Sequence, residues 1–383
     1  MRGMAAHLFS YIAMRYVGWW KMQYLKRIKK AILIEGILLA SLCSVFMMGA
    51  LKGNRTGTQP QAVEVGSVGE KEYIKWVDFN VSYEALCEAY KWDVETYEEA
   101  QADKNIAHVN WIQLLAYVGA KHGGDFPSGT VSEIAKTAKK IKTKEITMAE
   151  LVRDMKYYAY YLEAYEAVLG GFVGEYEIQK KREDGKAEWE KCYGLKAFSP
   201  IAKGFEYSDY DDFGASRSYG YSRPHLGHDM MGQVGTPVVA IESGYVEAIG
   251  WNQYGGWRLG IRSFDGKRYY YYAHLRQNFP YCKDLEEGSV VTAGQVIGYM
   301  GHTGYSKTEN VNNIKVVHLH WGLQLIFDES QKEGNNEIWI DCYDLTRFLY
   351  KNRSETVKNE ETKEWYRVYD MKDPAVEKYL RSK

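Results

Sequence analysis

The chain has almost no net charge and lacks closely spaced cysteines. Its 49 basic residues nearly cancel its 50 acidic ones, leaving a formal charge of −1. No bulk electrostatic term therefore favours nucleic acid as a partner. The five cysteines, Cys43, Cys87, Cys192, Cys282 and Cys342, are far apart and form no CxxC pair. That spacing argues against a cysteine zinc finger and a thioredoxin-type redox site. Hydrophobic residues make up 45% and charged residues 26% of the 383 positions, which excludes a disordered or collagen-like chain. At roughly 100–200 residues per domain, the length fits two domains, or one with accessory segments. What is abundant is aromatic: 33 Tyr and 11 Trp, residues suited to sheet surfaces and to polymer-binding clefts.

Acidic residues are missing from the start of the chain. Arg2, Arg15, Lys21, Lys26, Arg27, Lys29 and Lys30 precede the first carboxylate, Glu35. Residues 31–51, AILIEGILLASLCSVFMMGAL, carry Glu35 as their only charge. As a helix rising ~1.5 Å per residue, this run reaches about 31 Å, close to the hydrocarbon thickness of a bilayer. The basic flank places residues 1–30 in the cytoplasm and the rest outside, as a transmembrane signal-anchor in the cell membrane. A cleaved signal peptide is the rival reading, and Met22 is an alternative start. Residues 52–75, rich in Gly, Gln, Thr and Ser through position 72, read as a linker. On the outer side Cys87, Cys192, Cys282 and Cys342 form an even set that permits two disulfides without requiring them.

Residues 76–172 carry apolar positions at three- and four-residue spacing, which predicts a helical domain. Thr147 and Glu150 are placed for a capping box, and Gly170 with Gly171 for a stop. The tyrosines at 157, 158, 160, 161 and 165 read as packing, and His108 and His122 as ordinary histidines. Residues 173–327 instead alternate apolar and polar positions between Gly-rich turns, which predicts antiparallel β structure. The fold class expected is thus α+β: a transmembrane helix, an α-helical middle domain and an antiparallel all-β domain. Residues 328–383 are charged and mixed, and read as a solvated C-terminal extension of a helix or two.

The β-rich segment holds histidines in special settings. HLGHD sets His225 and Asp229 four apart in a Gly-containing turn before a strand at 236–241. YAHL ends an aromatic strand with His274, and HLH sets His318 and His320 two apart on a strand. A strand alternates faces with period two, so those two imidazoles project on one side. Two His and one Asp make a zinc site with a position open to water and a net positive charge. Two more imidazoles beside it would orient that water and stabilise developing negative charge.

Together these motifs resemble the lysostaphin-type zinc peptidases of family M23, which are peptidoglycan endopeptidases. The resemblance covers residues ~205–327 and includes HLGHD, GTPVVA, YAHL, GYMGHTGYS and HLHWGL. It implies zinc (Zn2+) ligands at His225, Asp229 and His320, with His274 and His318 acting on the water and the oxyanion. It also implies a metalloendopeptidase that hydrolyses peptide cross-links or stem peptides of bacterial peptidoglycan for cell-wall remodelling. His228 is expected to point away from the metal and His302 to be a loop histidine. The segments 208–224 and 251–257 are expected to wall the groove. The rival function is an envelope scaffold of the same fold that binds a partner protein or peptidoglycan with little catalysis. A zinc peptidase of ordinary proteins is a third reading, and the helical domain is a candidate contact for an envelope protein.

Overall fold

A computed structural model describes residues 73–181, 187–218 and 222–383. The predicted cytoplasmic segment, the transmembrane span 31–51 and nearly all of the linker lie outside these residues. Among the described residues no helix is long and apolar enough to cross a membrane.

The helical region runs α1 (Tyr83–Ala102), α2 (Trp111–His122), α3 (Thr130–Lys142), α4 (Met148–Val152) and α5 (Tyr158–Leu169). Local signals set its boundaries. Ser82 and Asn110 cap α1 and α2 with their side chains, and Gly123, at φ 68, ends α2 in the left-handed region. Thr147 and Glu150 form the expected reciprocal box at the start of α4. Of the tyrosine stripe, Tyr161 and Tyr165 are buried, while Tyr157, Tyr158 and Tyr160 pack partly buried against the core.

The rest is antiparallel. Strands β1 (Val173–Lys181) and β2 (Ala187–Leu195) form a hairpin. The short hairpin β3 (Ser216–Ser218) and β4 (Ser222–Pro224) precedes β5 (His228–Met231) and β6 (Pro237–Val239). Strands β7 (Gly244–Asn252), β8 (Gly256–Ser263) and β9 (Arg268–Ala273) meander. They are followed by β10 (Val290–Val291), β11 (Val296–Tyr299), β12 (His318–Leu325) and β13 (Ile338–Ile340). The main sheet has the order β10-β7-β8-β9-β12-β13, with β5 also paired to β12.

HLGHD is thus not only a turn, because its last two residues open a strand. The C-terminal extension also departs from expectation. Its strand β13 joins the main sheet, and helix α6 (Tyr343–Leu349) buries Leu345, Thr346, Phe348 and Leu349. Beyond a hairpin of β14 (Thr356–Lys358) and β15 (Trp365–Arg367), β16 (Met371–Lys372) extends the β1–β2 sheet. Helix α7 (Pro374–Ser382) buries no residue. The charges flanking IWI and LTRFL hid an apolar alternation too short to register as a core element.

Helices and main sheet share one core, in which Leu86, Leu114 and Tyr165 join Tyr270, Tyr272, Leu319, Trp321 and Leu323. At its centre Arg268, 2% exposed, donates from Nε and Nη2 to both carboxylate oxygens of Glu242 at 2.7 and 3.2 Å. Its Nη1 reaches the carbonyls of Glu166 and Ala167 in the last turn of α5, at 3.2 and 3.0 Å. A cation there satisfies carbonyls that a helix end leaves orphaned and complements the helix dipole. Gly171 is needed for this approach, since a Cβ there would lie 1.7 Å from Glu242 Oε1. The pair Gly170-Gly171 therefore does more than stop a helix. Cys87, Cys192, Cys282 and Cys342 are all free thiols.

Removing one partner of a buried bidentate pair strands the other's charge. Glu242→Ala should destabilise the full chain by about 3–5 kcal/mol in guanidinium denaturation. A loss under about 1 kcal/mol would mean that water replaces the carboxylate.

Candidate metal centre and active-site cleft

Three adjacent strands place the histidines. In the β5–β12 ladder His320 lies opposite Asp229, and Trp321 lies opposite His228. His320 is also paired with Ala273 of β9, the residue before His274. Period two then divides the side chains. His318, His320 and Asp229 share the open face, while Leu319 and Trp321 are fully buried on the other. His228 goes with Trp321: it is 2% exposed, and its Nε2 sits 2.9 Å from Asp209 Oδ2. His302 turns its Nδ1 to the Ile314 carbonyl at 2.8 Å. Both stay out of the cluster, as the sequence suggested.

His225 Nε2, Asp229 Oδ1 and His320 Nδ1 form a triangle with edges of 3.0, 3.0 and 2.9 Å. A tetrahedral zinc with bonds of ~2.0–2.1 Å spaces its ligands about 3.3 Å apart, so the residues present fit such an ion after a small expansion. The donors are of the type zinc takes, and the three form a recognisable metal-binding group. Behind His225, Asp212 places its Oδ1 3.1 Å and its carbonyl oxygen 3.3 Å from Nδ1. With Nδ1 held in this way, Nε2 faces the triangle, where it bonds to Asp229 in the absence of an ion and would offer its lone pair to a metal. Arg217 pairs with Asp212 and stands 3.4 Å from Asp229 Oδ2.

His274 and His318 stand beside the triangle, their ring centroids 4.7 Å apart. Each turns Nδ1 to a main-chain carbonyl: Thr303 at 2.9 Å for His274 and Val316 at 2.8 Å for His318. In the neutral form of either ring the Nε2 lone pair is then turned away from that carbonyl, and Nε2 of His318 lies 3.7 Å from Asp229 Oδ1. His274 is aimed by its backbone, at φ 59, a left-handed conformation costing about 1–2 kcal/mol in a non-glycine residue. Such strain is held by surrounding bonds, including its own N–H to Gly255 O at 2.7 Å.

The charges reinforce the geometry. Burial opposes ionisation of Asp229, but hydrogen bonds from His225 and His320 and the charge of His320 and His318 hold its carboxyl far below the usual range. Burial also opposes protonation of His225, yet the hydrogen bond and charge of Asp229, with Asp212 behind, raise its pKa. At His320 desolvation outweighs Asp229, and His225 and His318 add to it, so its pKa falls. Burial, then the neighbouring His318 and His320, push His274 well below an ordinary histidine. A neutral His274 at pH 7 follows.

The five predicted residues thus meet in one place. Sequence reasoning missed Gly227, Asp212, Arg217 and Thr303. A Cβ at Gly227 would lie 2.6 Å from the His320 ring and 2.7 Å from Trp321 O, so the central glycine of HLGHD makes room for a ligand. Gly227 and Thr303 were in view within HLGHD and GYMGHTGYS, and Asp212 and Arg217 within the segment 208–224, but no local spacing marked their roles.

A mostly antiparallel sheet with a His2Asp donor triangle and two free imidazoles is the arrangement of a metal-dependent hydrolase. Residues 223–341 match Peptidase family M23, so this part of the chain is an M23 domain. The L-Ala–D-Glu endopeptidase of Bacillus subtilis is 38% identical over 130 residues, covering 34% of this chain and 38% of the relative. Lysostaphin of Staphylococcus simulans is 37% identical over 94 residues, covering 24% of this chain and 18% of the relative. The chain therefore spans well under half the length of these relatives. Among solved structures, the catalytic domain of the antimicrobial peptidase lysostaphin from Staphylococcus simulans is 30% identical. It covers 37% of this chain and 92% of that chain, with a TM-score of 0.29.

Two outcomes test this site by metal affinity, read with a chromophoric chelator as competitor. Asp212→Ala should weaken zinc binding roughly 10- to 100-fold, and Gly227→Ala by about 100-fold or more. Unchanged affinity in both would remove these residues from the site. Zinc should also be released on acidification, since a protonated imidazole cannot ligate.

Proposed function

We propose that the protein is a zinc-dependent endopeptidase of bacterial peptidoglycan, cleaving a peptide bond of its stem or cross-link peptides. The observation that carries this reading is the donor triangle flanked by two imidazoles whose Nε2 atoms are free, set in an M23 domain. The names of the relatives, an L-Ala–D-Glu endopeptidase and lysostaphin, support the substrate class. His225, Asp229 and His320 would hold the ion. When bound, zinc supplies a Lewis acid that polarises a carbonyl and brings the pKa of water to about 7.

The chain's own residues then do the proton work. His274, kept neutral by burial and fixed by Thr303, accepts a proton at Nε2. His318, fixed by Val316, faces the same space with its Nε2 and, once protonated, hydrogen-bonds developing negative charge on the substrate oxygen. Asp212 keeps His225 in the tautomer that ligates. Two fixed imidazoles have no use in a scaffold, which places the enzyme ahead of the scaffold reading. From the sequence alone, we further propose that residues 31–51 anchor the chain in the cell membrane with the catalytic domain outside.

The test is digestion of purified peptidoglycan of several cross-link types by the zinc-loaded full chain, with released fragments read by mass spectrometry. New amino termini at one peptide bond are expected. His274→Ala and His318→Ala should retain zinc yet lose about 100- to 10,000-fold in kcat/KM, while His320→Ala should lose both. A folded, zinc-loaded protein that releases nothing from any wall type would sink the proposal.

A further inference from the structure

The β3–β4 hairpin carries an arrangement that the metal site does not require. Arg217 and Arg223 are directly opposite each other across its two strands. Each is partly buried while Ser216, Ser218, Ser222 and Pro224 beside them are exposed. Both guanidinium groups therefore turn to the same face, towards the cleft. Like charges directly opposed in an antiparallel pair are destabilising, so a hairpin under no other demand would place at most one cation there.

The two arginines differ in how their charge is met. Arg217 is neutralised by Asp212 and lies beside Asp229. Arg223 is not: among the described residues no carboxylate pairs with it. Its Nη2 donates to Tyr305 Oη at 3.1 Å, and its guanidinium lies 5.2 and 5.6 Å from the ring centroids of Tyr254 and Tyr305. Its Nε is buried and has no hydrogen-bond partner. Aromatic faces hold a cation in place without cancelling its charge. The position is next to the chemistry, because the Tyr305 ring stands 6.1 Å from the His274 ring, edge to face. Tyr305 itself is held in the left-handed region at φ 47, and its carbonyl accepts from Asn313 Nδ2 at 2.6 Å.

A fixed, partly desolvated guanidinium with unused donors takes a carboxylate, which it can bind in a fork of two hydrogen bonds. We propose that Arg223, held by Tyr254 and Tyr305, is a carboxylate-binding residue that sets specificity. The substrate is then an acidic peptide with a free carboxylate close to the cleaved bond, such as a D-glutamyl stem peptide. A neutral oligoglycine bridge would leave this charge unused. The inference rests on the endopeptidase reading above and narrows its substrate.

The experiment compares two synthetic peptides with the zinc-loaded full chain. One contains the Ala–D-Glu unit with its free carboxylate, and the other differs only by amidation of that carboxylate. Both cleavage and equilibrium binding are measured. The acidic peptide should be preferred by roughly tenfold or more, mainly in KM and Kd. Arg223→Gln should bring the ratio between the two peptides close to one, and Arg223→Lys should keep part of it. Equal use of both peptides by the unaltered protein overturns the inference but leaves the endopeptidase standing. So does a preference that survives in Arg223→Gln. Preferential binding that depends on Arg223, with no cleavage of either peptide or of peptidoglycan, supports the carboxylate site and overturns the endopeptidase instead.

Discussion

The site depends on the register of three short strands. With β12 as the centre, Asp229 is opposite His320 on one side and Ala273 on the other. A slip of one residue would turn His318 and His320 inward and expose Leu319 and Trp321. The same hydrogen-bond ladder that buries the Trp321 ring therefore delivers the ligands. Function and stability are specified by one pairing, and the apolar face decides it, because the four aliphatic and aromatic side chains of β12 have only one place to go.

The helices and the C-terminal extension serve that pairing from behind. They cover the sheet face opposite to the cleft, where Trp321 Nε1 donates to Thr346 Oγ1 of α6 at 3.1 Å and Arg268 ties α5 to β9. The helical region is thus one side of a shared core. The five site residues take their partners from the β-rich part, among them Asp212, Arg217, Gly255, Thr303, Tyr271, Tyr305 and Val316. The cleft side is built by loops and the β3–β4 hairpin, which bring charge to a face that the sheet alone would leave neutral. Asp212, Arg217 and Arg223 come from the segment 208–224, and Tyr254 and Gly255 from 251–257.

Much of the site was legible because it is written in local spacing. H-x-H on a strand needs only period two, and H-x3-D followed by a strand-end His and H-x-H is a combination with few other uses. Glycine in HLGHD was visible as a residue but not as a necessity, since the His320 ring that excludes a Cβ comes from 93 positions further along the chain. Asp212 sat in an acidic, aromatic run where nothing marks one carboxylate from the next. The C-terminal strand and helix were misjudged as solvated, since three-residue strands leave too few alternations to read.

The sequence by itself determined the order of elements, the apolar faces of helices and strands, and the residue types of a metal-dependent hydrolase. These follow from periodicity, capping and donor chemistry, all of which act within a few residues. Only the tertiary structure decided which nitrogen of each histidine faces the cleft. Those tautomers are set by carbonyls at Thr303 and Val316 and by Asp212, which lie in separate loops. The same holds for the opposed arginines. Arg217 and Arg223 are six apart in sequence, but what neutralises one and leaves the other charged is the identity of the loop that folds against each.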